Sequence, residues 1–126
     1  MTNFNPQHGL VIVHTRLIGP LGETVARLAL DTGASSTLVR NALLVTIGYD
    51  PDTFPKTANF TTGSGVESAS RVSISKLQAL GQERENFPVI AYTLPPTASI
   101  DGLLGLDFLR NHILTLDFQR GDITLS

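Results

Sequence analysis

Leu30-Asp31-Thr32-Gly33-Ala34-Ser35-Ser36 is the stretch of this chain whose residue types and order point to chemistry. A carboxylate follows directly on an apolar run, and a glycine two places on lets backbone approach closely. That setting suits a catalytic acid held half-buried at the end of a strand. Thr32 adds a hydroxyl able to tie the turn to a neighbouring backbone. An ordinary Asx turn after a strand has the same composition, and Asp-Thr-Gly alone does not separate the two.

Other candidates are weaker. His8, His14 and His112 are scattered, with no i, i+4 pair, and read as surface or strand histidines rather than metal ligands. Cysteine is absent, which removes thiol nucleophiles, Cys-based zinc sites and disulfides together. No metal and no cofactor is expected. Ser35-Ser36 has no His in a recognisable partner motif, so a serine nucleophile finds no base. Asp101 and Asp107 suggest an acid pair of the glycosidase kind, but each reads more simply as a turn or helix-start residue. Tyr49, Tyr92 and the six Phe read as core.

The composition sets the bounds. A chain of 126 residues, 41% hydrophobic and 16% charged, fits one folded domain over residues 1–126. Nine Lys plus Arg against eleven Asp plus Glu give a formal charge of −2, without a basic block. Nucleic acid is therefore not an expected partner. No apolar run approaches the ~20 residues that span a bilayer, so membrane insertion is not expected. Met1 to Leu10 lacks a signal-peptide pattern. Taken as complete, the chain reads as soluble and cytoplasmic rather than secreted.

The elements that must position Asp31 are mostly strands. Leu10 to Ile18 and Glu23 to Leu30 form a hairpin around Gly19-Pro20 and Gly22. In its second strand Ala26, Leu28 and Leu30 share one face, and Arg27, Ala29 and Asp31 the other. Asn41 to Gly48 reads as a two-turn helix, N-capped by Asn41 and ended by Gly48 in a left-handed conformation. Pro51 and Pro55 mark a loop. Lys56 to Phe60 and Glu67 to Leu80 read as strands around a small-residue tip, Thr61 to Gly65; Val72, Ile74 and Leu77 form an apolar row. Gly81 to Asn86 reads as a polar turn, and Phe87 to Tyr92 as a further strand before a break at Pro95-Pro96. A second helix is expected over Leu106 to Asn111, then a hairpin of Ile113 to Phe118 and Asp122 to Leu125 about Arg120-Gly121. Leu28 to Asp31 and Ile100 to Gly105 echo one another, each a strand and Gly turn leading to a helix, which suits an internal pseudo-twofold.

Asp31-Thr32-Gly33-Ala34-Ser35, a Gly-rich tip at Gly63 roughly thirty residues on, and Leu103-Leu104-Gly105 before a helix come in one order. With these three elements the sequence resembles the retropepsin-like aspartic proteases over about Leu10 to Leu125. The run Gly102 to Leu109 looks closer to cellular and bacterial members than to viral ones.

The resemblance implies an all-β, retropepsin-like barrel that forms one half of a symmetric homodimer. It implies an aspartic endopeptidase in which Asp31, within Asp31-Thr32-Gly33, is the catalytic carboxylate. With one such motif per chain, the second carboxylate comes from the second copy. Thr32 would reach the partner's backbone, and Leu104 and Gly105 would support the catalytic turn. Thr62, Gly63, Ser64 and Gly65 would form a flap over an extended peptide, with Ala34, Ser35 and Leu103 lining the cleft. Two departures stand out. Viral members pair an acidic residue after Asp-Thr-Gly-Ala with an Arg after the late Gly, and here those positions are Ser35 and Leu106. The hairpin also lacks the Tyr of two-lobed pepsins. The alternatives are a catalytically silent dimerising or peptide-binding module of the same fold, or a domain that processes only its own parent chain.

Overall fold

A short strand, β1 (Thr2–Asn3), precedes the expected hairpin, in which β2 (Ile12–Gly19) returns through Pro20-Leu21 as β3 (Gly22–Leu30). The computed structural model describes residues 2–95 and 97–126. Met1 and Pro96, and the side chains of Phe60 and Thr62, lie outside the described residues. Alternation sorts the hairpin as its sequence suggests. Val13, Thr15, Leu17, Ala26 and Leu28 are fully buried, while Ile12, His14, Arg27 and Asp31 lie on the opposite face.

After the Asp31 turn comes β4 (Leu38–Arg40) and then α1 (Asn41–Thr46). A 3-10 turn at Pro51–Thr53 leads to the hairpin of β5 (Ala58–Thr62) and β6 (Gly65–Ala69). β7 (Arg71–Ala79) and β8 (Gln82–Tyr92) form a second long hairpin. β9 (Gly102–Leu104) and α2 (Leu106–Leu109) follow, and β10 (Leu114–Asp117) and β11 (Asp122–Leu125) close the chain. The strands β2-β3-β9-β4-β8-β7 make a closed barrel. Closure removes the open edges on which sheets aggregate. Its core joins Leu17, Leu28, Ile74, Leu77, Leu104 and Phe108.

Several expectations change. Asn41 does not cap α1: Arg40 holds that place with extended backbone and no side-chain cap bond. The Asn41 amide instead donates to Thr93 Oγ1 at 2.9 Å. Gly48 does follow the helix with φ +104°. The polar turn expected at Gly81 to Asn86 is strand; the turn is only Leu80-Gly81, both at positive φ, between paired Ala79 and Gln82. Two positive φ values in a two-residue loop match the twist of a hairpin. Asn86, also at positive φ, marks where β8 changes which of its faces is buried, and β7 changes with it at Ser75-Lys76. The Tyr49 hydroxyl accepts the Ser75 N–H there at 2.8 Å. The echo of two strand–turn–helix units is only partial, since β4 intervenes before α1. The N-terminal strand β1 pairs with the same chain's β11, giving the order β1-β11-β10.

Candidate active site

Leu28, Ala29 and Leu30 pair in parallel register with Gly102, Leu103 and Leu104. β9 is at the same time the antiparallel neighbour of β4, with Leu38 opposite Leu103 and Val39 opposite Gly102. The segment from Asp31 to Thr37 therefore arches across the end of β9, from one of its neighbours to the other. This arrangement brings the Asp31 turn and the Leu103-Leu104-Gly105 segment together.

Short hydrogen bonds fix the arch. The Asp31 N–H donates to the Leu104 carbonyl at 3.0 Å, and the Ala34 N–H to the Asp31 carbonyl at 3.2 Å. The Leu106 N–H donates to the Ala34 carbonyl at 2.8 Å. The Gly33 N–H donates to Asp31 Oδ1 at 2.8 Å, which orients the carboxylate from within its own turn. Asp31 is half-buried, and Thr32, Gly33 and Ser35 are exposed; Ala34 and Leu103 are half-buried. The carboxylate thus ends on the surface of the protomer, with one oxygen held by a backbone amide.

Gly105 is needed for close approach. A Cβ there would stand 2.8 Å from the Ala34 carbonyl oxygen and 2.8 Å from Ser36 backbone atoms. Leu104 beside it is fully buried beneath the arch.

Thr37 was not singled out from the sequence, yet it holds the far end of the arch. Fully buried, its hydroxyl donates to Asp107 Oδ1 at 2.7 Å and accepts the Gly105 N–H at 3.1 Å. The Thr37 N–H donates to Asp107 Oδ2 at 2.9 Å. Asp107, at the start of α2, thereby ties the arch down although Ser35 and Leu106 offer no ion pair. Nothing in the local sequence marks Thr37, because its partner lies 70 residues further on. Asp101 is likewise structural: Oδ2 accepts the Arg27 N–H at 2.8 Å, and Oδ1 lies 3.3 Å from Arg40 Nε. Asp101 and Asp107 serve two different anchors and do not form an acid pair.

The β5–β6 hairpin is a two-stranded sheet of its own, with Thr62 opposite Gly65 and Gly63-Ser64 as the turn. Gly63, Ser64 and Gly65 are exposed, and the Thr62 side chain lies outside the described residues. Its base is anchored by the Arg71 N–H on the Pro55 carbonyl and by the Ala91 N–H on the Ser70 carbonyl. Among the described residues no three His, Asp or Glu side chains gather as a metal site. No helix there is long and apolar enough to cross a membrane.

Comparisons with known proteins agree with this architecture. A retropepsin-like aspartic protease from Rickettsia conorii superposes with a TM-score of 0.69 at 20% identity, over 91% of this chain and 81% of that one. The retroviral protease-like domain of Ddi1 from Leishmania major gives 0.63 at 16% identity, over 95% and 90%. EIAV protease, solved in complex with the inhibitor HBY-793, gives 0.54 at 17% identity, over 87% and 93%. At these identities the likeness is one of fold, and the fold is retropepsin-like. A search of curated protein sequences gave no match. The aspartyl protease family profile matches residues 18–108, which span the Asp31 arch, the β5–β6 hairpin and the Gly105 segment, and the chain belongs to that family.

Proposed function

We propose that this chain is an aspartic endopeptidase that acts as a homodimer, its 126 residues forming a single protease domain. One observation carries the reading: a carboxylate presented at the protomer surface by an arch pinned to Leu104 and to Asp107, with Gly33 N–H on one oxygen. Each chain supplies one such group. A twofold axis beside the arch sets Asp31 against its own copy.

Two carboxylates about 3 Å apart cannot both ionise, so the pair holds one proton and titrates as a unit. The ionised member takes a proton from a water lying between them, and that water attacks the peptide carbonyl. The protonated member gives its proton to the carbonyl oxygen. When the tetrahedral intermediate collapses, the proton taken from water passes to the leaving amine and a gem-diol hydroxyl returns a proton to the other carboxylate. No covalent enzyme intermediate is involved. Thr32, exposed in the single protomer, donates to the partner's arch, and Gly33 lets the two turns approach. The β5–β6 hairpin, with Gly63, Ser64 and Gly65 at or beside its tip, is the flap that closes over the peptide and excludes water. Ala34, Ser35 and Leu103 line the cleft, which favours an extended peptide with apolar side chains beside the cut.

Replacement of Asp31 by Asn is the test. Peptide cleavage is expected to vanish while circular dichroism and sedimentation stay unchanged. Full activity in that variant would end the reading.

A further inference from the structure

On the face of the β2–β3 hairpin that carries Asp31, the N-terminal segment folds back to leave a groove of about 370 Å³. Phe4, His8 and Leu10 line it from that segment, and Ile12, His14 and Arg27 from the hairpin. His14 and Arg27 are direct cross-strand partners, so their side chains stand side by side. We propose that this groove is an outer substrate subsite that takes an acidic side chain of the peptide, a reading that rests on the protease function above.

Charge and spacing carry the inference. Among the described residues no carboxylate lines the groove. Among the described residues the Arg27 guanidinium forms no ion pair; its Nε donates to the Ser99 carbonyl at 3.3 Å. The neighbouring carboxylate, Asp101, is occupied by the Arg27 backbone N–H and by Arg40. An exposed guanidinium with donors to spare, beside two imidazoles, matches a carboxylate better than any other peptide side chain. Leu10 and Ile12 meet the methylenes that carry that carboxylate. Arg27 precedes Asp31 by four residues on one strand, about 13 Å at strand rise. A peptide laid extended alongside that strand has the same rise, which places the acidic residue about three to five residues from the scissile bond.

The test uses peptides with one apolar cleavage core and a single Glu, Gln or Lys moved from the second to the sixth residue on either side of the cut. Glu is expected to be preferred over Gln in kcat/KM by about fivefold at a position three to five residues away, the upper range for an exposed pair. The preference should shrink with added salt. It should drop below about twofold in Arg27→Gln and turn toward Lys in Arg27→Glu, with Arg27→Lys retaining part of it. Equal cleavage of Glu and Gln peptides at every position would overturn the proposal, as would a preference that survives Arg27→Gln. A shift in the dimerisation constant without a change in the Glu-to-Gln ratio would also overturn it, and would assign the groove to a second copy of the chain. If no peptide is cut at all, the protease reading fails instead; anisotropy of the same labelled peptides on Asp31→Asn protein then decides the groove by itself.

Discussion

Thr37 and Asp107 hold each other through two hydrogen bonds, hydroxyl to Oδ1 at 2.7 Å and backbone N–H to Oδ2 at 2.9 Å. The same hydroxyl accepts the Gly105 N–H, so the end of the Asp31 arch, the late glycine and α2 meet at one buried oxygen. Asp107→Ala leaves a fully buried threonine without its acceptor. It is expected to cost about 2–3 kcal/mol in urea unfolding. Thr37→Ser, which keeps the hydroxyl, should cost less than Thr37→Val, and kcat/KM should fall in the same order.

The two glycines of the site separate packing from chemistry. Gly105→Ala drives a methyl against Ala34 and Ser36 backbone that cannot move without the arch. A stability loss of about 1–3 kcal/mol is expected together with lost activity. At Gly33 an added Cβ would meet only Asp31 Oδ1, at 3.2 Å. Gly33→Ala should therefore shift the carboxylate and lower kcat/KM about tenfold or more. The fold of the protomer itself, read by circular dichroism, should stay that of the parent, since the position is exposed within one chain.

In the proposed dimer, two carboxylates sharing one proton fix the sign of the pH dependence. As pH rises the shared proton is lost, and with it the donor to the carbonyl oxygen, so kcat/KM should fall from acidic or near-neutral pH toward alkaline. At the acid end protonation of the second member removes the base, completing a bell. A profile of kcat/KM against pH checks this, and a rate still climbing above about pH 8 would contradict the shared proton.

The exposed tip of the β5–β6 hairpin contributes little to the core, and Gly65 sits there at φ +123°. Gly65→Ala strains the tip alone. It should lower kcat/KM for peptides while moving the melting temperature by no more than about 4 °C. Equal losses in both would place the hairpin in the fold's stability rather than in peptide capture.

What could be read from the residues was what local chemistry decides. Gly19-Pro20 and Gly22 turn the first hairpin, and Val72, Ile74 and Leu77 do form a buried row. Asp31 and Leu103-Leu104-Gly105 were legible as a pair through their resemblance to a known order of motifs. Elsewhere a distant partner outweighed a local preference. Asn41 has the composition of a cap, but its amide is engaged by Thr93, 52 residues away. Leu80 at φ +53° is a rare turn residue, so the tight loop before Gln82 was hidden and an exposed strand of polar residues read as loop. Thr2 and Asn3 carry no strand signal of their own, and only β11 makes them one. Thr37 is an ordinary threonine until α2 packs beside it.

The distance between the two Asp31 carboxylates in a crystal of the assembled protein, grown with a peptide-like inhibitor, decides whether one site is built from two chains. A symmetric pair with oxygens about 3 Å apart across a twofold axis is predicted. An inhibitor-bound, active protein in which the second copy's Asp31 lies far from the first would contradict it.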